Sequence, residues 1–279
     1  MIKVINFQSQ NLGTEIHDSF KETGFAVITN HGIDFRLINQ VYEEWKFFFK
    51  QSVENKKKYI FSRKFEKVQD GYFPFSISEI AKDYDVKDLK EFYHYSPGGR
   101  DLPQGITRTG YLYSKLMELA LILLSSLNEE TPKKLAKSLN EIVDDQCGTI
   151  MRILHYPSIL NEKGDGAMRA APHKDINLIT LLVAATQSGL CVKDVDGNWH
   201  KINCNEHDII INCGDMMQEL TDNYYKSTYH KVVNPIGSES KLSRYSIPFF
   251  VHPKLETILS DRHTAKSFLD ERLKENGLL

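Results

Sequence analysis

Hydrophobic positions divide this chain into two textures. In the first half they recur at helical spacing, and in the second they form short runs broken by turns. Gly24-Phe-Ala-Val-Ile-Thr-Asn30 predicts a strand, ended by the turn Asn30-His31-Gly32. Asp34 is placed to cap the helix that follows, on which Phe35, Ile38, Tyr42, Trp45 and Phe49 share one face. Tyr111 to Leu127 is apolar almost all round and predicts a buried helix. Thr131-Pro132 predicts a further helix start, with Thr as cap and Pro in the first turn. From Thr149 onward the strand-like runs are Ile150 to Tyr156, Leu178 to Ala184, Trp199 to Ile202, Asp208 to Asn212, Thr228 to Val233 and Tyr245 to Val251. Many short strands separated by Gly and Asn-Asp turns predict a sandwich or barrel-like roll. His263 to Asn276 predicts an amphipathic C-terminal helix.

Composition narrows the class. The chain has 279 residues, enough for a core with a ligand pocket, and its 41% hydrophobic and 26% charged residues are those of a globular protein. A net charge of -2 lacks the electrostatic footprint of a nucleic-acid binder. Cys147, Cys191, Cys204 and Cys213 form no CxxC pair, so neither a zinc ribbon nor a disulfide framework is indicated, and reduced thiols in a cytoplasm are expected. The N-terminus has no apolar run of signal-peptide length, and the apolar stretch Leu116 to Leu124 is interrupted by Glu118. Secretion and membrane insertion are not expected.

The chemistry concentrates in the second half. In Ala171-Pro-His173-Lys-Asp175, residues two apart on a strand would present an imidazole and a carboxylate to the same face. A distant histidine would complete a facial set of two His and one carboxylate, which suits Fe(II) and leaves coordination positions open. His230, 57 residues after His173 and in another strand-like run, is the natural third ligand. Ser243-Arg244-Tyr-Ser246 follows, where Arg244 and Ser246 would share a strand face and suit a buried carboxylate.

Taken together, these segments resemble the isopenicillin N synthase-like branch of the Fe(II)/2-oxoglutarate-dependent dioxygenases. The resemblance extends to Gly24-Phe-Ala-Val-Ile-Thr-Asn-His31-Gly32-Ile, Met151-Arg-Ile-Leu-His155-Tyr156-Pro157 and Cys213-Gly-Asp215. It implies an α+β fold with a mainly β core, a distorted double-stranded β-helix (jelly roll) flanked by helices. It implies a helix-rich region over 1–105 and a jelly-roll oxygenase region with a C-terminal helix over 106–279, packed as one unit. It implies that His173, Asp175 and His230 hold Fe(II), and that Arg244, Ser246 and Tyr156 bind 2-oxoglutarate. It also implies O2 as the oxidant, ascorbate as an optional reductant, and no catalytic group beyond the metal centre. The expected activity is oxidation of an unactivated C–H bond in a small molecule, with release of succinate and CO2. No nucleic-acid or membrane partner is implied.

Two positions depart from the pattern of many members. Leu154 stands where plant enzymes carry Asn, and Lys174 where Thr is common; strand alternation points Lys174 away from the metal face. His31 is expected to be structural, and His155 alternates away from Tyr156. Leu182 and Phe250 suit the shielding of an oxidant. Gly71-Tyr72-Phe-Pro74-Phe75 and Gly98-Gly99-Arg100 belong to the half that covers the barrel mouth in the family; they are candidates to line the substrate pocket, with an exposed loop the favoured reading of each. Three alternatives stay open: an iron oxidase of the same family that does not use 2-oxoglutarate, a non-catalytic metal-binding sensor, and a zinc hydrolase. The last leaves Arg244-Tyr-Ser246 without a role and lacks an evident base.

Overall fold

The computed structural model describes residues 2–61, 70–77, 88–132, 135–145, 148–159 and 168–275. In chain order they form β1 (Lys3–Asn6), α1 (Leu12–Glu22), β2 (Phe25–Thr29), α2 (Phe35–Phe49), the short α3 (Val53–Lys57), β3 (Gly71–Phe73), β4 (Glu91–Tyr95) and α4 (Thr109–Glu130). There follow β5 (Ile150–Tyr156), β6 (Ala170–His173), β7 (Ile179–Val183), β8 (Leu190–Lys193), β9 (Trp199–Lys201) and β10 (Ile209–Cys213). The short α5 (Asp215–Leu220), β11 (His230–Val232), β12 (Arg244–Val251) and α6 (Ala265–Glu275) complete the chain.

The strands make two sheets, in the orders β1-β2-β10-β7-β12-β5-β4-β3 and β6-β11-β8-β9. Pairing is antiparallel throughout these sheets except for β1 with β2. Phe25, Val27 and Ile210 of the large sheet pack with Ala170, Leu190, Val192 and Val232 of the small one. The two sheets therefore face each other as a jelly roll, the architecture expected from the strand pattern.

Alternation along each strand sorts side chains between two environments. On β12, Ile247, Phe249 and Val251 join the large core that the helices cover, while Arg244, Ser246 and Phe250 alternate to the other side. On β5, Met151 and Ile153 face the helices, while Leu154 and Tyr156 form a separate cluster with Phe92 of β4. Polar chemistry thus collects on the face between the sheets. The helical face is mostly apolar, apart from the buried group of Lys56, Glu91 and His155, and fully burying an Ile or Phe there contributes about 1.5–3 kcal/mol.

The helices follow the sequence pattern with adjustments. Asp34 caps α2 by accepting from the Arg36 N–H at 2.8 Å. The buried stripe of α2 is Leu37, Ile38, Val41, Tyr42, Trp45, Phe48 and Phe49. Phe35 is only half-buried and lies edge-on to His207, with 4.0 Å between ring centroids. Trp45 Nε1–H donates to Thr109 Oγ1 at 2.9 Å, tying α2 to α4. α4 is long and apolar enough, by length and composition, to cross a bilayer. Its apolar residues, among them Leu112, Leu116, Ala120, Leu123 and Leu124, are instead buried in the core.

Thr131-Pro132 does not start a helix. Thr131 closes α4: its hydroxyl donates back to the Leu127 carbonyl at 2.9 Å and its N–H reaches Asn128 O. A Thr can serve an orphan carbonyl at a helix end as readily as an orphan N–H at a start, and the following Pro blocks continuation. Residues 135–145 then form turns, with Val143 bridging to Pro253. Gly71–Phe73 also differs from expectation. It is strand β3, with Tyr72 1% exposed and its hydroxyl donating to Glu91 in a buried network with Lys56 and His155. Gly98-Gly99-Arg100 is partly buried against Asp70, which accepts from the Arg100 N–H. Cys147 and Asn276 lie outside the described residues.

Candidate metal and co-substrate site

His173 ends β6 and His230 begins β11, directly opposite it in the antiparallel ladder. The ring centroids stand 4.4 Å apart. Asp175 is not on the strand, as the same-face reading of His-x-Asp required; it lies in the loop after β6. Its carboxylate nevertheless comes to the two imidazoles, with Oδ1 3.6 Å from His230 Nε2. One donor atom from each of His173, Asp175 and His230 lies within 4.8 Å of the others.

Each of the three presents a single ligand atom. His173 Nδ1–H donates to the Ala171 carbonyl at 2.7 Å, and His230 Nδ1–H to the Thr228 carbonyl at 3.2 Å. Both bonds run to the carbonyl two residues back, so each Nε2 is left as an acceptor for a cation. Asp175 Oδ2 accepts from Thr180 Oγ1 at 2.6 Å and Asn212 Nδ2 at 2.8 Å, which turns Oδ1 toward the histidines. Asn177 extends the chain by donating to Thr180 Oγ1 at 3.0 Å.

The loop that carries Asp175 is held by the start of α5. The Asp215 N–H donates to the Asp175 carbonyl at 2.7 Å, and the Met216 N–H to Ile176 O at 3.1 Å. Gly214 makes this approach feasible: a Cβ there would lie 2.1 Å from the Asn177 carbonyl oxygen. The Cys213-Gly-Asp215 motif therefore acts on the site through the backbone.

The electrostatics favour cation binding. Burial opposes ionisation of Asp175, but the charges and hydrogen bonds of its neighbours, His230 first, outweigh it and hold the carboxyl well below the usual range. Burial, and then the neighbouring His230, push His173 down to about 4, so it is neutral at physiological pH. Burial pulls His230 down, and the Asp175 charge more than reverses this to leave it raised.

On the large sheet, Arg244 stands opposite Tyr156 in the β12–β5 ladder, and Ser246 opposite Leu154. All four are buried. The Arg244 guanidinium lies over the Tyr156 ring at 5.1 Å from its centroid. Its Nε donates to Gln187 O at 3.0 Å, while Nη1 is buried without a partner. A buried guanidinium with an unanswered N–H matches a carboxylate that arrives with a ligand. Beyond Leu154 on the same row, Arg152 packs over Phe92 at 4.4 Å and Phe250 at 5.2 Å.

Of the other singled-out residues, only His155 was placed by strand alternation. Lys174 lies just past the end of β6, its ammonium 4.0 Å from Asp215 Oδ1 and over the Tyr229 ring. His155 faces the helices, stacked on Tyr245 and bonded to Glu91. His31 locks a turn, Nε2–H donating to His207 O at 2.7 Å and Nδ1 accepting from the Ile33 N–H. Sequence reasoning missed Thr180 and Asn212. The signal available for both was a polar residue at an inward position of an otherwise apolar strand.

Residues 147–253 match the 2OG-Fe(II) oxygenase superfamily, and residues 2–109 match the N-terminal region of the non-haem dioxygenases, described from morphine synthesis. A crystal structure of a Shewanella oneidensis protein described as an oxygenase superposes with a TM-score of 0.86 at 40% identity, covering 99% of both chains. The proline hydroxylase buaE of Petromyces alliaceus is 30% identical over 85% of this chain and 80% of its own length. A full-length Neurospora crassa protein, crystallised in complex with alpha-KG, shares the fold, with a TM-score of 0.80 at 22% identity over 97% of this chain and 95% of its own. The chain belongs to the 2OG-Fe(II) oxygenase superfamily. It is by class an Fe(II)- and 2-oxoglutarate-dependent oxidoreductase.

Proposed function

We propose that this protein oxidises an unactivated C–H bond of a small-molecule substrate, with His173, Asp175 and His230 holding Fe(II) and Arg244, Ser246 and Tyr156 binding 2-oxoglutarate. The observation that carries the reading is the pairing of two features in the space between the sheets: a His-Asp-His donor set, and the buried Arg244 with an open Nη1. When bound, iron and 2-oxoglutarate supply the oxidising power, with O2 consumed and succinate and CO2 released.

The protein's part is binding, orientation and exclusion of water. Asp175 brings the only negative charge among the three ligands, so it offsets the cation's charge. The Ala171 and Thr228 carbonyls fix the histidine rings, which keeps the donor set preorganised. Arg244 meets the far carboxylate of the co-substrate, and Tyr156 supports the guanidinium from below. Leu154, Phe92 and Phe250 give the space an apolar wall.

The test is anaerobic titration with Fe(II) and 2-oxoglutarate, followed by release of labelled CO2 from C1-labelled 2-oxoglutarate in air. We expect one iron per chain, a weak visible charge-transfer band, and CO2 release above that of Arg244→Leu. Iron binding with no band and no detectable 2-oxoglutarate binding refutes the co-substrate assignment. An iron-soaked crystal without anomalous signal between the three side chains refutes the metal assignment.

A further inference from the structure

Among the described residues Arg169 is the largest charged side chain sealed from solvent, with 0% of its surface exposed. It immediately precedes β6, on the small-sheet side of the roll. Its backbone N–H donates to Asn234 Oδ1 at 2.9 Å, and its Nη2 to the Leu242 carbonyl at 2.9 Å. Its Nε and Nη1 are buried with no hydrogen-bond partner.

Arg169 is not alone there. The bond to the Leu242 carbonyl sets its guanidinium against the segment that enters β12, two residues before Arg244; burial first, and then the Arg244 charge, push the Arg169 pKa down to about 10. Glu239 also acts on Arg169, through space and from an exposed position. Among the described residues neither guanidinium is in an ion pair, and both keep buried N–H groups open. Two cations brought together out of water repel each other and lose hydration. An anion between them would reverse both penalties. A carboxylate, with two oxygens and about four lone-pair positions, can accept from two guanidiniums at once.

We propose that Arg169 is a second anchor for the far carboxylate of 2-oxoglutarate, which is held between guanidiniums from opposite walls of the roll. The inference rests on the co-substrate reading above and extends it to a residue outside the Arg-x-Ser motif. A neutral end would leave the open N–H groups of two buried cations without a counter-charge, so Arg169 adds to the discrimination between a diacid and a monoacid.

The experiment compares two ligands on the Mn(II)-loaded protein by anaerobic calorimetry. 2-Oxoglutarate carries the far carboxylate; 2-oxopentanoate has the same keto acid head and chain length without it. A hydrogen bond to a charged group corresponds to roughly a tenfold or larger change in affinity. We expect Arg169→Met to weaken 2-oxoglutarate by that factor or more and to leave 2-oxopentanoate little changed, so that discrimination collapses. Arg169→Lys, which keeps the charge, should retain part of it, and it serves also if the Met variant does not fold. Equal weakening of both ligands would mean that Arg169 only braces the backbone at Leu242 and Asn234, which overturns the proposal. Unchanged discrimination in both Arg169 variants, with collapse in Arg244→Leu, overturns it too while the co-substrate reading stands. A parent protein that binds the two ligands equally overturns both.

Discussion

Thr180 and Asn212 are small polar residues in strands otherwise built of Ile, Leu, Val and Cys, and both direct a hydrogen bond at one oxygen of Asp175. Partners of this kind set the orientation of a ligand, and their removal typically weakens metal affinity 10–100-fold. Thr180→Val keeps the shape and deletes the donor. It should lower Fe(II) affinity by roughly that range with the fold intact, read by competitive anaerobic titration and far-ultraviolet circular dichroism. Asp175→Ala should lose tight iron binding altogether. Arg244→Leu should leave iron binding in place and raise half-saturation for 2-oxoglutarate roughly tenfold or more, read from steady-state turnover.

At the scale of elements, the junction of β10 with α5 organises the loop that carries Asp175. A methyl group at Gly214 would collide with the Asn177 backbone, so Gly214→Ala must displace either the helix start or the loop. Overpacking of this kind typically costs about 1–3 kcal/mol. The expected result is a lower melting temperature together with weaker iron binding, whereas Gly105→Ala, strained by its φ of 88°, should lower the melting temperature and leave iron binding unchanged. Elements with strong periodicity were legible in the sequence. Ile150–Tyr156 is the strand as read, and Tyr111 to Leu127 lies inside α4. Of the strands of four residues or fewer, β9 and β11 lay in runs bounded by turn residues and were read, whereas β1, β3 and β8 were not. His173, His230, Arg244 and Ser246 stood out through spacing. Asp175 stood out by spacing too, but its placement comes from α5 amides and two distant polar side chains that no local pattern encodes. Arg169 was invisible, since an arginine near a strand reads as surface until burial is seen.

Across the whole molecule, buried neutral histidines couple stability to acidity. Burial pushes His252 down to about 4, and it lowers His31 as well. An unfolded histidine takes up its proton near 6.5. Between these values the unfolded chain binds more protons than the folded one, so this stability is present above about pH 6.5 and is lost as the pH falls toward 4. The contribution of His252 is on the order of 1–3 kcal/mol. Melting curves of the metal-free protein should therefore shift downward between pH 6.5 and 4.5, and His252→Gln should flatten part of that shift. Glu91, lowered despite burial by hydrogen bonds from His155, Lys56 and Tyr72, adds a second loss at more acidic pH, below its ordinary range. The alternation on β12 has a consequence for how such a protein can change. Arg244, Ser246 and Phe250 face the reaction space only because Tyr245, Ile247 and Phe249 face away from it. Inserting or deleting one residue within this strand would swap the two sets, sealing the arginine in oil and presenting isoleucine to the co-substrate. New substrate preferences are therefore reachable by point replacement at every second position or by length changes in the connecting loops, and a frame slip inside β12 is closed to both natural drift and library design.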